Sequence, residues 1–113
     1  PAAEPAIKTA RQKALNWLLK TRARSTEDKT FRLLGLRWAG ATEEQVTEAA
    51  LDLREDQRDD GGWSQRPGME SDAYSTGQAL VALHRAAGLS PMDPVYTRGA
   101  GYLVGTQKPD GTW

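Results

Sequence analysis

Apolar residues recur along this chain at intervals of three and four, and polar residues fill the positions between them. From about Ala6 to Arg22, the residues Ile7, Ala10, Ala14, Leu15, Leu18 and Leu19 keep helical spacing, with Trp17 alongside. Ser25 and Thr26 ahead of Glu27 and Asp28 read as an N-terminal cap followed by acids that suit the helix dipole. A second helix then runs over Glu27–Ala39 and stops at Gly40. Thr42-Glu-Glu-Gln45 forms a capping box for a third helix, which reaches Asp56 with Val46, Ala49, Ala50 and Leu53 on one face. Ser75-Thr-Gly-Gln78 repeats that logic for a fourth helix, apolar around most of its circumference and closed by Gly88. Asp93-Pro94 opens a fifth that extends to about Thr106. Residues 1–5 read as a frayed lead-in. No strand-type alternation persists, so the expectation is an all-α chain. Half-polar helices (first, third, fifth) alternate with more apolar ones (second, fourth), the pattern of two concentric layers whose inner ring is covered on both sides.

A repeat organises these helices. Gln57-Arg-Asp-Asp-Gly-Gly-Trp63 returns 50 residues later as Gln107-Lys-Pro-Asp-Gly-Thr-Trp113, with Asp60/Asp110, Gly61/Gly111 and Trp63/Trp113 in register. Thr47/Thr97, Ala50/Ala100 and Leu53/Leu103 also coincide. A repeat of this length marks one supersecondary unit used again, each unit burying the apolar face of the next. The chain divides into a degenerate repeat at 6–40, a repeat at 42–88 and a partial repeat at 93–113. In the degenerate unit Trp17-Leu18 aligns with Tyr102-Leu103, and Arg22 stands in the place of Gln107. Within the motif, the Gln amide is expected to reach the free carbonyls at a helix end. Asp-Gly allows a tight left-handed turn. The Trp is expected to cover the amide and fasten one hairpin to its neighbour.

Leu53-x3-Gln57-x3-Gly61-x-Trp63 and Leu103-x3-Gln107-x3-Gly111-x-Trp113 resemble the QW repeat of squalene-hopene and oxidosqualene cyclases. The following Asp-Ala-Tyr-Ser-Thr-Gly-Gln-Ala-Leu-Val-Ala-Leu stretch looks like the inner helix of the prenyltransferase/squalene cyclase repeat group. The resemblance covers residues 44–113 well and 6–40 loosely. It implies helical hairpins of an α/α toroid of the terpenoid cyclase or protein prenyltransferase type, present here as an incomplete ring. It also implies an apolar partner, an isoprenoid or polycyclic small molecule bound in a cavity. In the cyclases of that group an Asp-x-Asp-Asp motif protonates the isoprenoid. That motif is absent here, and Asp59-Asp60 belongs to the repeated turn. If the parent protein is an enzyme, the resemblance implies an isomerase of terpenoid cyclase type or a prenyltransferase. The alternative is a non-catalytic repeat scaffold that binds a protein or ligand.

Composition narrows this further. Fifteen basic residues balance fifteen acidic ones, so no net field favours nucleic acid. The chain has no cysteine and one histidine, which speaks against zinc of the prenyltransferase kind, and no metal or cofactor is expected. The weak catalytic candidates are Glu70, Asp72 and Tyr74, ahead of the fourth helix, and His84 within it. An acid there with a raised pKa would serve as proton donor, whereas capping the helix is the simpler role for Asp72. His84 is read as a hydrogen-bonded packing residue, and all four tryptophans as core. The basic face of the first helix is read as solvated. The chain begins at Pro1 and ends on the last residue of its second motif, and it is read as an excerpt of a longer protein. Self-association through exposed apolar helix faces is therefore expected.

Overall fold

The computed structural model describes residues 3–113 and contains α1 (Ala3–Lys20), α2 (Thr26–Trp38), α3 (Glu43–Glu55), α4 (Ala73–Ala87) and α5 (Pro94–Thr106). Two-residue strands β1 (Trp63–Ser64) and β2 (Ser71–Asp72) pair antiparallel between α3 and α4. The chain is all-α, as its periodicity requires.

Local chemistry sets most of the helix ends. Ser25 Oγ accepts from the Asp28 amide at 3.1 Å. Thr42 and Gln45 make the reciprocal capping box at 3.1 and 2.9 Å. At the end of α2, Gly40 takes φ 83° and the Ala41 amide bonds back to Leu36 O, closing the helix in a Schellman turn. Two ends differ from the sequence expectation. α4 starts at Ala73, capped by Asp72 rather than Ser75, because the carboxylate takes the Ser75 amide at 2.7 Å and is the stronger acceptor. α1 already includes residues 3–5, because Pro5 lies in the first turn, where its missing N–H costs no intrahelical bond. Pro1 and Ala2 lie outside the described residues.

The α2–α4 contact is the most extensive in the molecule. α1 packs on α2, α5 packs on α4, and α3 touches both inner helices. Leu33 and Leu36 of α2, Val46 and Leu53 of α3, and Leu80 and Leu83 of α4 form the centre, with Trp63 beneath them. Alanines 49, 50, 79, 82 and 86 keep the helices close. Gly99 does the same for α5, since a Cβ there would meet Leu80 Cδ2 at 2.8 Å. Lys29 reaches from α2 to Asp56 at 2.7 Å and Asp52 at 3.3 Å on α3. Burial works against its charge, but the bonds and fields of Asp56 and Asp52 outweigh that and raise its pKa.

Only one of the four tryptophans is core. Trp63 is wholly buried, whereas Trp17, Trp38 and Trp113 are each more than half exposed. Helical spacing cannot tell a face covered by a neighbour from one left open. Trp38 sits at the end of α2 beneath the Arg11 guanidinium, 5.7 Å from the ring, and Arg11 also donates to Trp38 O at 2.8 Å.

Leu83→Ala should lower stability by about 2–5 kcal/mol through loss of burial and the cavity left behind. Val81→Ala, on the exposed face of the same helix, should stay within about 0.5 kcal/mol. Urea unfolding distinguishes them, and equal losses would contradict this core assignment.

Candidate functional site

The repeated turn is built outward from the end of α3. There Leu53 O accepts the Asp56 amide at 3.2 Å and the Trp63 indole Nε1–H at 2.8 Å. The indole thus supplies the donor that the sequence reading assigned to Gln57. The Gln57 amide does something else. Its Nε2 donates at 2.9 Å to Gly61 O within the turn and at 2.9 Å to Val95 O in the first turn of α5. The reason is position: Gln57 lies beyond the cap, where its side chain projects toward the next helix rather than back along its own.

The loop between them is closed by Arg58 N–H to Gly62 O and Gly61 N–H to Arg58 O, both at 2.8 Å. Asp60 Oδ1 accepts from the Gly62 amide at 2.9 Å and from Ser71 Oγ at 2.8 Å. Burial acts to raise the Asp60 pKa, but these two bonds and the Arg58 charge together lower it. Gly61 has φ 89°, and a Cβ would stand 2.3 Å from Arg98 O, so backbone meets backbone there. Arg98 completes the contact by donating to Arg58 O at 3.2 Å and Asp59 O at 3.3 Å. On the other side the Trp63 amide donates to Thr76 Oγ1 at 2.9 Å, which ties the turn to α4.

The second turn reproduces this geometry. Gln107 Nε2 donates to Gly111 O at 2.7 Å and Trp113 Nε1 to Leu103 O at 2.9 Å. The Thr112 amide donates to Asp110 Oδ1 at 3.0 Å, and Gly111 has φ 88°. The hydroxyl and amide of Thr112 lower the Asp110 pKa. Trp113 is 53% exposed where Trp63 is at 0%.

The catalytic candidates do not converge. Asp72 spends both oxygens on Ser75, at 2.7 Å to the amide and 3.0 Å to the hydroxyl. Glu70 is exposed. The Tyr74 hydroxyl donates to Glu27 at 3.2 Å and accepts from Gln78 at 3.0 Å, and the hydrogen bond and charge of Glu27 raise its pKa. His84 Nδ1 bonds Leu89 O at 2.9 Å, and its ring stands edge-on to Tyr96 at 6.3 Å. Among the described residues no three His, Asp or Glu side chains are arranged to hold a metal ion, and no helix is long and apolar enough to cross a membrane.

The sequence reading missed two features. Burial, followed by the charges of Asp60, Asp72 and Glu70, raises the pKa of Tyr102. An apolar groove of about 410 Å³ also runs between α2 and α4, lined by Phe31, Leu34, Tyr74, Gly77, Gln78 and Val81. The three- and four-residue spacing of Phe31/Leu34 and of Tyr74/Gln78/Val81 carried that signal, as same-face pairs on two helices.

No protein-family profile matches the chain. A stretch of 75 residues, 66% of the chain, is 39% identical to drimenyl diphosphate synthase of Streptantibioticus cattleyicolor. The chain spans 13% of the length of that protein. The likeness relates the chain to terpenoid-cyclase-like proteins at that coarse level.

Trp63→Phe should cost about 1–3 kcal/mol, since Leu53 O then lies buried without its indole donor. Trp113→Phe should cost less, because water can replace the donor at an exposed end. Comparable losses in thermal unfolding would contradict this. Asp60 also makes stability depend on pH. Its folded pKa is lowered, so the unfolded chain binds the proton first and the contribution, complete at neutral pH, is lost as pH falls below about 4 through the folded value. Asp60→Asn should flatten the stability curve there, and an unchanged acid limb would refute the assignment.

Proposed function

We propose that this chain forms an arc of an α/α-toroid wall, and that its α2–α4 groove is part of the surface holding an apolar isoprenoid or polycyclic ligand. The groove carries the reading: Phe31, Tyr74 and Val81 are each about half exposed or more, and they line one open, largely apolar groove. Large side chains are left open in this way where a ligand or partner covers them. The similarity to drimenyl diphosphate synthase supports a ligand of terpenoid chemistry. On this reading the repeated turns are repeats of the squalene cyclase kind, and the parent is terpenoid cyclase-like or prenyltransferase-like.

The wall does not carry the proton donor. Asp72 is consumed as a helix cap and Asp60 as an acceptor in its turn. This same observation favours the second reading, a scaffold that kept the repeat and binds without reacting.

Farnesol, titrated against the chain and followed by tryptophan fluorescence, tests the groove. Val81→Asp and Phe31→Ser should each weaken binding at least about ten-fold, because losing one buried apolar contact is worth roughly 1.5–3 kcal/mol. Binding unaltered in both variants, or no binding by the parent chain, would overturn the proposal.

A further inference from the structure

We infer that the ligand of the α2–α4 groove is an alcohol whose hydroxyl donates to the side-chain oxygen of Gln78. The inference rests on the groove reading above and adds the chemical class of its occupant. The neighbours of Gln78 fix which way its amide faces. Tyr74 has one hydroxyl proton, and it goes at 3.2 Å to the Glu27 carboxylate, which can only accept. The phenol oxygen is then left to accept, and Gln78 Nε2 is its donor at 3.0 Å. This sets the NH2 group toward Tyr74 and turns Oε1 the other way. There Oε1 is buried and has no hydrogen-bond donor among the described residues. A buried acceptor is costly to leave unmatched, so a donor is expected from outside them.

The groove decides which donor fits. Gln78 lines it together with Thr30, Phe31, Leu34, Tyr74 and Val81, none of them charged. The Thr30 hydroxyl donates to Glu27 O at 2.7 Å and the Tyr74 hydroxyl to the Glu27 side chain, so both lining hydroxyl protons are already placed. A Cβ on Gly77, which also lines the groove, would meet nothing within 4 Å, and α4 therefore leaves room beside the amide. The terminal torsion of a glutamine is broad, so a donor lodged in the groove can draw Oε1 toward it. A hydrocarbon offers no donor, and a charged phosphate would set acceptor oxygens against the amide oxygen. A neutral hydroxyl on an apolar body meets both demands. Its body lies on Phe31, Leu34 and Val81, and its proton goes to Gln78.

Farnesol and farnesyl methyl ether share one apolar chain, and the ether has a methyl group in place of the hydroxyl proton. The ether is the more apolar of the two, so burial alone would favour it. Titration calorimetry of both against the wild-type chain should show farnesol binding at least about five-fold tighter. Gln78→Met keeps the length of the side chain and removes its polar end. With circular dichroism confirming its fold, this variant should lose the preference for farnesol. Equal affinities in wild type, as when water serves Oε1, would overturn this inference and leave the apolar groove standing. A preference that survives in Gln78→Met would overturn it too. Failure of both ligands to bind would overturn the groove reading and this inference together.

Discussion

At the end of α3 the backbone leaves the helix with carbonyls that have no intrahelical donor, and the chain must then turn sharply into the next helix. The buried indole of Trp63 supplies one donor, to Leu53 O, from beneath the helix. Gln57 supplies two more hydrogen bonds, and one of them crosses into α5. These few bonds decide how one helical pair sits against the next. With them, Gly61 can meet the backbone of Arg98, and Gly99 can bring α5 down onto Leu80. The division of labour follows from geometry. The indole is long enough to reach back ten residues along the chain, and the amide, with two N–H groups, is suited to bridging.

Much of this was legible in the sequence. The caps at Thr42 and Asp93, the glycine stops and the buried face Val46/Ala49/Ala50/Leu53 follow from rules that act within one or two turns. The duplication announced the turn itself, because a heptapeptide recurring in register needs a local reason to persist. What the sequence left open depends on neighbours in space. Trp17 and Trp38 sit at helical spacings indistinguishable from core, and only the placement of the other helices shows them open. The partner of the Gln57 amide lies 38 residues away at Val95, which no local rule identifies. Asp72, weighed as an acid and as a cap, is fixed as a cap by its two bonds to Ser75.

The inner pair α2 and α4 gives the molecule two unlike surfaces. Their buried faces are mainly Leu and Ala with Thr26, Thr30, Ser75 and Thr76, whereas Phe31, Leu34, Tyr74 and Val81 open onto a groove. At that groove Gln78 Nε2 donates to the Tyr74 hydroxyl and Tyr74 to Glu27, while Gln78 Oε1 is buried without a partner among the described residues.

If the amide bridge of Gln57 is what positions α5, removing it should release that helix selectively. Native-state hydrogen exchange on Gln57→Leu measures this directly. Amides of α5 should exchange through a lower-energy opening than in wild type, while those at the centre of α2 and α4 keep their protection. Unchanged protection across α5, or an equal loss throughout the molecule, would contradict the account.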